Sequence, residues 1–242
     1  MIYVMSDIHG QAGAFYKMLK KICFSENDQM YVLGDVIDRG PDGIEIIKYV
    51  MSKLNITLLI GNHEHMMLDA LRTGLSHDYD LWFYNGGMVT LDSFNELGSA
   101  EKDEMLKYLR NCPVVIPNVK VNNRKFYLTH AGWLNRKSIL RYKDAFVFDI
   151  EDATWDRDFA NYPHKEKGFE GYRIIFGHTP TPRLYYGRTN KRGIPLISYY
   201  KKAIAVDCGM GSPKYGQLGC LRLDDLREFY VREESNNEII ST

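Results

Sequence analysis

Short apolar runs rich in β-branched and aromatic residues recur along the chain, and each is typical of a buried strand. The runs are Met1–Met5, Met30–Leu33, Ile56–Ile60, Phe126–Thr129, Ile174–Phe176, Ala203–Val206 and Leu218–Leu223. Two segments with helical spacing separate the first three runs. Their apolar positions are Phe15, Met18, Leu19 and Ile22, and then Ile44, Ile47, Met51 and Leu54, with Pro41 in the first turn of the second segment. This strand–helix–strand alternation predicts an α/β protein that begins with parallel strands.

The pattern changes in the middle of the chain. Two strand-like runs meet at Asn122-Asn123, which predicts a hairpin and therefore a mixed sheet system. Residues 64–110 carry helical patterns and are expected to form a cap over one edge of a single domain that spans 1–242. The polar tail 233–242 is expected to be frayed.

Composition excludes several classes of function. The chain has 31 Lys+Arg and 31 Asp+Glu, so it lacks the basic surplus of a sequence-independent nucleic-acid or anionic-membrane binder. At 45% hydrophobic and 26% charged residues it is typical of a globular protein. The longest unbroken apolar run is only Met1–Met5, and no basic segment precedes it, so a cytoplasmic protein is expected. The four cysteines show no Cys-x-x-Cys spacing and are expected to be reduced thiols in a core.

Polar clusters that contain glycine follow five of the predicted strands. They are Ser6-Asp7-Ile8-His9-Gly10, Gly34-Asp35-Val36-Ile37-Asp38-Arg39-Gly40, Gly61-Asn62-His63-Glu64, His130-Ala131-Gly132 and Gly177-His178-Thr179-Pro180. In α/β proteins ligands bind at the carboxyl ends of the strands. The five clusters are therefore expected to converge on one site.

Asp, His and Asn side chains beside glycine suit a site for divalent cations, because glycine permits tight turns and close approach. Asp7 and His9 are two residues apart, and on an extended strand end they would point the same way. A carboxylate such as that of Asp35 can bridge two metals, which is the usual arrangement for in-line displacement at phosphorus. Taken alone, each cluster also fits a turn or a structural histidine. Their recurrence at five strand ends favours the metal site.

Together these motifs resemble the calcineurin-like metallophosphoesterases, and within them the phosphoprotein phosphatase branch. That branch has the pattern Asp-x-His, Gly-Asp-x-x-Asp-Arg-Gly, Gly-Asn-His-Glu, His-Ala-Gly and Gly-His, and every part of it is present between Asp7 and His178. The resemblance implies a central mixed β-sandwich flanked by helices in αββα order, with a dinuclear metal site at the carboxyl ends of the strands.

The resemblance also implies roles for individual residues. Asp7, His9 and Asp35 match the ligands of one metal, and Asp35, Asn62, His130 and His178 match the ligands of the other. His63 matches the histidine that protonates the leaving group, and Asp38 matches the carboxylate that orients it. Arg39 matches a phosphate-binding arginine, and Arg157 resembles a second one in a looser alignment. The alternatives are surface ion pairs of Arg39 with Asp38 or Asp42, and of Arg157 with Asp156 or Asp158.

The implied activity is hydrolysis of phosphoserine or phosphothreonine in proteins by a hydroxide that bridges two divalent metals. Manganese is the expected ion in vitro, and iron or zinc are alternatives, because mixed oxygen and nitrogen ligands accept several metals. The expected partner is a phosphoprotein or phosphopeptide, without nucleic acid or membrane. A symmetrical diadenosine tetraphosphate hydrolase that releases ADP is the alternative, because such enzymes share the first motifs.

Two further interpretations stay open. A metallophosphoesterase fold that serves only as a protein scaffold would be expected to lose ligands, and none of the six candidates is lost here. Asn85, in Trp82-Phe83-Tyr84-Asn85-Gly86-Gly87, is a candidate for substrate binding; the alternative is an aromatic cluster of the cap closed by a turn.

Overall fold

Two β-sheets form the centre of the fold in the computed structural model, which describes residues 1–163, 165, 171–212 and 216–232. In chain order the described strands are Ile2–Met5 (β1), Gln29–Val32 (β2), Ile56–Leu58 (β3), Pro113–Val121 (β4), Arg124–Thr129 (β5), Leu140–Arg141 (β6), Arg173–Phe176 (β7), Arg188–Thr189 (β8), Pro195–Leu196 (β9), Ser198–Tyr200 (β10), Ala203–Ala205 (β11), Leu218–Arg222 (β12) and Glu228–Val231 (β13). The described α-helices are Ala12–Lys21 (α1), Gly43–Met51 (α2), Asn62–Thr73 (α3), Ser76–Tyr84 (α4), Met88–Asn95 (α5), Ser99–Asn111 (α6), Val147–Trp155 (α7) and Asp158–Asn161 (α8). Short 3-10 turns lie at Tyr142–Asp144 and Thr181–Arg183.

Both large sheets are mixed, as the sequence predicts. The first has the order β13-β12-β1-β2-β3, with β1, β2 and β3 parallel and β12 antiparallel to β1. The second has the order β10-β11-β7-β5-β4-β6, with β11, β7 and β5 parallel to one another. Strands β4 and β5 form the predicted hairpin, in which Asn122 adopts the left-handed conformation at φ 52°. The helices α1 and α2 connect β1, β2 and β3, so the carboxyl ends of these strands share one edge.

The central strands β1, β7, β11 and β12 are buried on both faces, which explains their nearly continuous apolar sequences. Side chains that point between the sheets form one core, represented by Val4 from the first sheet and by Leu128 and Ile175 from the second. Side chains at alternate positions, such as Met5 and Phe176, point outward into the core that the helices cover. The predicted β-sandwich with flanking helices is therefore confirmed.

The predicted elements differ from the structure at their ends. Helix α2 ends at Met51, and Leu54 lies beyond it and is fully exposed. The apolar spacing that includes Leu54 therefore predicts a helix about one turn too long. Helices α3 to α6 occupy residues 62–111, where the sequence predicts a helical cap over 64–110. The division into one domain with a cap stays a prediction, and the polar tail 233–242 lies outside the described residues.

The cysteines and the helices bear on the predicted location. All four cysteines are free thiols; three are buried as expected, but Cys23 is exposed at the end of α1 instead of packed in a core. Among the described residues, no helix has the length and apolar character needed to cross a membrane. A cytoplasmic location stays a prediction.

Candidate metal centre and active site

Four of the five polar clusters line one cavity of about 310 Å³, and His130 of the fifth lies next to it. The first sheet contributes the residues after β1, β2 and β3, and the second contributes those after β5 and β7. The sequence-predicted residues that line this cavity are Asp7, His9, Asp35, Arg39, Asn62, His63, Asn85, Arg157 and His178. Of the other two, His130 approaches Asp35 within 3.4 Å and Asp38 contacts His63. The structure thus brings together all the residues that the sequence singled out.

The backbone of the site is strained at several positions. Six candidate residues that are not glycine have a positive φ, between 49° and 69°. They are Asp7, His9, Asp35, Asp38, Arg39 and His178. The prediction that Asp7 and His9 lie on an extended strand end is therefore wrong, because strand β1 ends at Met5 and the chain turns. Each such conformation costs on the order of 1 kcal/mol, and clusters of this kind mark functional sites.

Glycine permits the ends of β2 and β3 to approach each other. Gly34 has φ 96°, and a Cβ there would lie 2.4 Å from the backbone nitrogen of Gly61. A Cβ at Gly61 would lie 2.2 Å from Oδ1 of Asp35. A side chain at Gly34 would therefore push the two strand ends apart, and one at Gly61 would displace the carboxylate of Asp35.

Asp35 lies between two groups of nitrogen and oxygen atoms that could each hold a metal ion. Its Oδ2 is 3.9 Å from Nε2 of His9 and 3.8 Å from Nε2 of His63. Its Oδ1 is 3.4 Å from Nε2 of His130 and belongs to a second group with His178. The carboxylate therefore contributes one oxygen to each group, as a bridging ligand would.

Asn62 joins the second group. Its Oδ1 is 3.1 Å from Nε2 of His130 and 2.9 Å from Nδ1 of His178. Nδ1 of His130 is 2.6 Å from the backbone carbonyl of Leu33 and donates its proton there, so Nε2 is the atom that faces Asn62 and Asp35. Imidazole nitrogens, an amide oxygen and a carboxylate oxygen thus converge within one small buried space. These residues therefore fit a divalent ion.

Protonation of the histidines follows from burial and neighbouring charge. Burial and the nearby His63 ring lower the pKa of His9, and burial with the neighbouring His130 lowers the pKa of His178. Both imidazoles are thus neutral and keep a lone pair for a metal. Burial also disfavours charged His130, but the Asp35 carboxylate outweighs it and raises the pKa of His130 to about 10. A bound cation would replace the proton of His130, because metal ligation requires the neutral ring.

His63, which belongs to the first group of possible ligands, forms a buried pair with Asp38. Nδ1 of His63 lies 2.6 Å from Oδ2 of Asp38 and donates its proton to that oxygen, which leaves Nε2 facing the cavity. The indole of Trp82 donates to both oxygens of Asp38, at 2.9 and 3.1 Å, and the hydroxyl of Thr90 donates to Oδ1 at 2.6 Å. These bonds from α4 and α5 fix the carboxylate, which in turn fixes the ring of His63.

Comparison with known proteins identifies the family. The family described as calcineurin-like phosphoesterase matches residues 1–206. The chain belongs to this family. It is 31% identical to serine/threonine-protein phosphatase 2 of Salmonella typhimurium over 183 residues, which cover 73% of this chain and 78% of that protein. It is 35% identical to the symmetrical bis(5'-nucleosyl)-tetraphosphatase of Nitrosococcus oceani over 177 residues, which cover 69% of this chain and 56% of that protein.

A solved structure shows the same fold. The cold-active protein-tyrosine phosphatase of a psychrophilic Shewanella species aligns with a TM-score of 0.51 at 20% identity, over 96% of this chain and 80% of that chain. The calcineurin-like phosphoesterases are metal-dependent hydrolases, and this chain is therefore a hydrolase of the metallophosphoesterase type with residues that could bind its metals.

In this phosphoesterase, Glu64 holds the loop ends that carry the site. Its fully buried carboxylate accepts the backbone N–H groups of Asp35 and Val36, both at 2.8 Å, and that of Gly61 at 2.9 Å. Glu64 is the third residue of α3, so the bond to Gly61 also caps the start of that helix. One carboxylate thus connects the end of β2 to the end of β3.

Replacement of Glu64 by glutamine is expected to lower the free energy of unfolding by about 3 kcal/mol, because an N–H donor would replace an acceptor opposite backbone N–H groups. Urea unfolding of the metal-free protein measures this change. Glu101 provides a matched control: it is the third residue of α6 and accepts the N–H of Gly98 at 3.1 Å, but it is exposed. Glu101→Gln is expected to lower the free energy of unfolding far less than Glu64→Gln, because solvent replaces the interactions of an exposed carboxylate. Equal losses in the two variants would contradict the role of Glu64.

Three arginines surround the mouth of the cavity. Arg39 donates to Nε2 of His9 at 2.8 Å and to Nε2 of His63 at 3.1 Å, and it forms no ion pair with Asp38 or Asp42 among the contacts of the described residues. Arg157 lines the same cavity as Arg183, and burial with the Arg183 charge lowers the pKa of Arg157. The ion-pair alternative for Arg39 is thus not the arrangement in the structure.

Sequence reasoning missed several residues of the cavity wall, among them Trp155, Arg183 and Asp207. Asp207 directly follows the run Ala203–Val206, so the rule that found the other clusters would have found it as well. Burial and the nearby Asp7 carboxylate raise the pKa of Asp207 well above its usual range. Trp155 and Arg183 follow no recognisable motif, and only the tertiary structure places them here.

Proposed function

We propose that this chain is a metal-dependent phosphomonoesterase that hydrolyses phosphoserine and phosphothreonine in proteins. The observation that carries this proposal is the position of Asp35 between two groups of possible metal ligands, next to the His63–Asp38 pair and under arginines in one cavity. Phosphate esters require each of these parts: anion binding, stabilisation of charge and protonation of an alkoxide.

Two divalent ions are proposed to bind at the two groups of possible ligands. In the first group, His9 and Asp35 lie with His63 in the structure; the proposal takes Asp7 as the ligand in place of His63, which then remains to act on the leaving group. We assign one ion to Asp7, His9 and Asp35, and the other to Asp35, Asn62, His130 and His178. Asp7 is buried in the same cavity, and its carboxylate oxygens accept the backbone N–H of His178 at 3.1 and 3.2 Å. When bound, such ions neutralise charge on phosphate oxygens and supply a nucleophile from water at neutral pH.

The remaining residues act on the ester itself. Arg39 and Arg157 are proposed to bind the phosphate oxygens, since guanidinium groups form paired hydrogen bonds with phosphate and stay charged. His63 is proposed to deliver a proton from Nε2 to the leaving oxygen. Asp38 accepts the Nδ1 proton of His63 at 2.6 Å and thereby orients Nε2 of the ring toward the cavity.

Two substrate classes compete. The match to the Salmonella protein phosphatase spans 78% of that protein, whereas the match to the Nitrosococcus tetraphosphatase spans 56% of that protein, so less of its sequence has a counterpart here. This difference in coverage supports a phosphoprotein substrate. The higher identity to the tetraphosphatase, 35% against 31%, supports symmetrical cleavage of a dinucleoside tetraphosphate as the second candidate.

A comparison of kcat/KM on one manganese-loaded preparation tests the proposal. The substrates are a phosphothreonine peptide and diadenosine tetraphosphate, and the Asp35→Asn variant provides the blank. Faster turnover of the peptide is expected. Faster release of ADP from diadenosine tetraphosphate would overturn the assignment and favour the second candidate.

Asn85 is proposed to contribute to substrate binding. It lines the cavity at the end of α4, and its side-chain amide donates to the carbonyl of Leu81 at 2.9 Å. This bond fixes the orientation of the amide group, including its oxygen. Asn85→Ala is expected to raise KM for the phosphopeptide about 5-fold, the size of one lost hydrogen bond. Steady-state kinetics measure this change, with Asn95→Ala at the exposed end of α5 as control. Wild-type kinetics in Asn85→Ala would contradict the role.

A further inference from the structure

A second cavity, of about 540 Å³, opens next to the phosphate-binding cavity. We refer to it as the side groove; it lies between α3, α4 and α7, and its main lining residues are Met66, Asp69, Asp78, Leu81, Glu151 and Trp155. Trp155 borders both cavities, and its ring centroid lies 6.2 Å from that of His178. A substrate whose phosphate occupies the metal centre therefore has the side groove directly beside it.

The two neighbouring cavities have opposite charge. Arg39, Arg157 and Arg183 line the phosphate-binding cavity. Three carboxylates line the side groove, those of Asp69, Asp78 and Glu151.

The cationic side chains near the side groove are too few to neutralise its carboxylates. Arg72 pairs with Asp69 at 2.8 Å, and His77 lies 3.1 Å from Asp78 on the exposed surface of α4. The three carboxylates and Arg72 together contribute a net charge of −2 at the side groove. Glu151 is exposed on α7 and forms no ion pair with another described residue. Its charge is therefore available to a ligand.

Apolar surface lies between these charges. Met66 is buried in the floor, Leu81 is 49% exposed on α4, and the half-buried ring of Trp155 closes the end next to the metal centre. A long basic side chain fits such a surface, because its methylene stem covers apolar groups while its charged end reaches carboxylates. A guanidinium can also stack on the indole.

We propose that the side groove binds an arginine or lysine close to the phosphorylated residue of a peptide substrate. This inference rests on the proposed phosphatase function and narrows it to phosphopeptides with a basic neighbour. A dinucleoside tetraphosphate offers no cation for the side groove, and its additional phosphates would be repelled by the carboxylates. The groove therefore distinguishes the two substrate classes.

Matched phosphothreonine peptides test this inference. They differ only in one residue, which is arginine, alanine or glutamate at each position from three before to three after the phosphothreonine. Wild-type kcat/KM is expected to be about 5-fold higher for arginine than for alanine at the best position, the scale of one partly exposed ion pair. Glutamate at that position is expected to lower kcat/KM below the alanine value.

Charge reversal at Glu151 tests whether the preference for arginine peptides arises in the side groove. In Glu151→Lys the preference is expected to invert, so that the glutamate peptide becomes the better substrate. Turnover of p-nitrophenyl phosphate, which does not reach the side groove, should stay within about 2-fold of wild type and shows that the variant is folded. Glu96→Lys makes the same charge change at the exposed end of α5, outside both cavities, and should keep the arginine preference.

The outcomes separate this inference from the proposed function. Equal turnover of arginine and alanine peptides by wild type would contradict the proposed role of the side groove but not the proposed phosphatase function. An arginine preference that persists in Glu151→Lys would also contradict the proposed role of the side groove. If no phosphopeptide is hydrolysed while diadenosine tetraphosphate is, both proposals fail.

Discussion

Asp35→Asn is expected to lose about 10³-fold in kcat/KM together with most of its bound metal. The Asp35 carboxylate lies within 3.9 Å of three imidazoles and contributes one oxygen to each possible metal group. Burial opposes its ionisation, but the charges of His130 and His63 hold the pKa of Asp35 well below its usual range. Asparagine removes that negative charge from both groups at once, and an amide nitrogen replaces one of the two ligand oxygens.

Metal content and activity must be measured on the same Asp35→Asn sample. Elemental analysis after manganese loading should give less than half of the wild-type stoichiometry. Asp42→Asn is the matched control, since Asp42 lies at the start of α2 and its side chain forms no capping bond there. That control should retain wild-type metal and activity. A fully loaded and active Asp35→Asn variant would show that Asp35 is not a shared ligand.

His63→Asn is expected to separate substrates by their leaving groups. Loss of a general acid costs about 10²–10⁴-fold when the leaving group is an alkoxide, as in phosphothreonine. The loss should be no more than about 10-fold for p-nitrophenyl phosphate, because p-nitrophenolate leaves without a proton. The structural basis is the 2.6 Å bond from Nδ1 to Asp38, which orients Nε2 of His63 toward the cavity.

The quantity to measure is the ratio of the loss on phosphothreonine to the loss on p-nitrophenyl phosphate. This ratio does not depend on the amount of folded protein. His77→Asn, on the exposed surface of α4, should leave both substrates unaffected when the peptide has no basic residue. Thr90→Val, which removes a hydroxyl bonded to Asp38 at 2.6 Å, should give the same split as His63→Asn at smaller size. Equal losses on both substrates would assign His63 to metal or phosphate binding instead of proton transfer.

Much of the fold was predictable because its signals are local. The apolar runs that become β1, β2, β5, β7, β11 and β12 are each interpretable without knowledge of their neighbours. A strand buried on both faces must be apolar throughout, and a helix over a sheet must show a 3.6-residue period. Ends of elements were less predictable, as Leu54 shows, because a helix ends where packing stops and not where the apolar pattern does.

Some residues of the candidate site could be predicted from the sequence and others could not. Asp207 was missed although it follows a predicted strand, whereas Trp155 and Arg183 carry no signal in their own segments. The side groove was also not predictable from the sequence, because Asp69 and Asp78 come from the consecutive helices α3 and α4 whereas Glu151 comes from α7, far along the chain. A local pattern does not encode which helix faces become neighbours.

The sequence by itself determined which chemical groups the protein can bring to a ligand: polar clusters with glycine at the ends of successive strands, in an order that matches one family. Only the tertiary structure decided how those groups meet. Glu64 connects Asp35 to Gly61, Trp82 and Thr90 hold Asp38, and the left-handed backbone turns the side chains inward. The physical reason is that, apart from the bond of Glu64 to Gly61, these bonds join residues 29 to 52 positions apart. Their energies therefore depend on packing of the two sheets and the helices and leave no periodic trace in the chain.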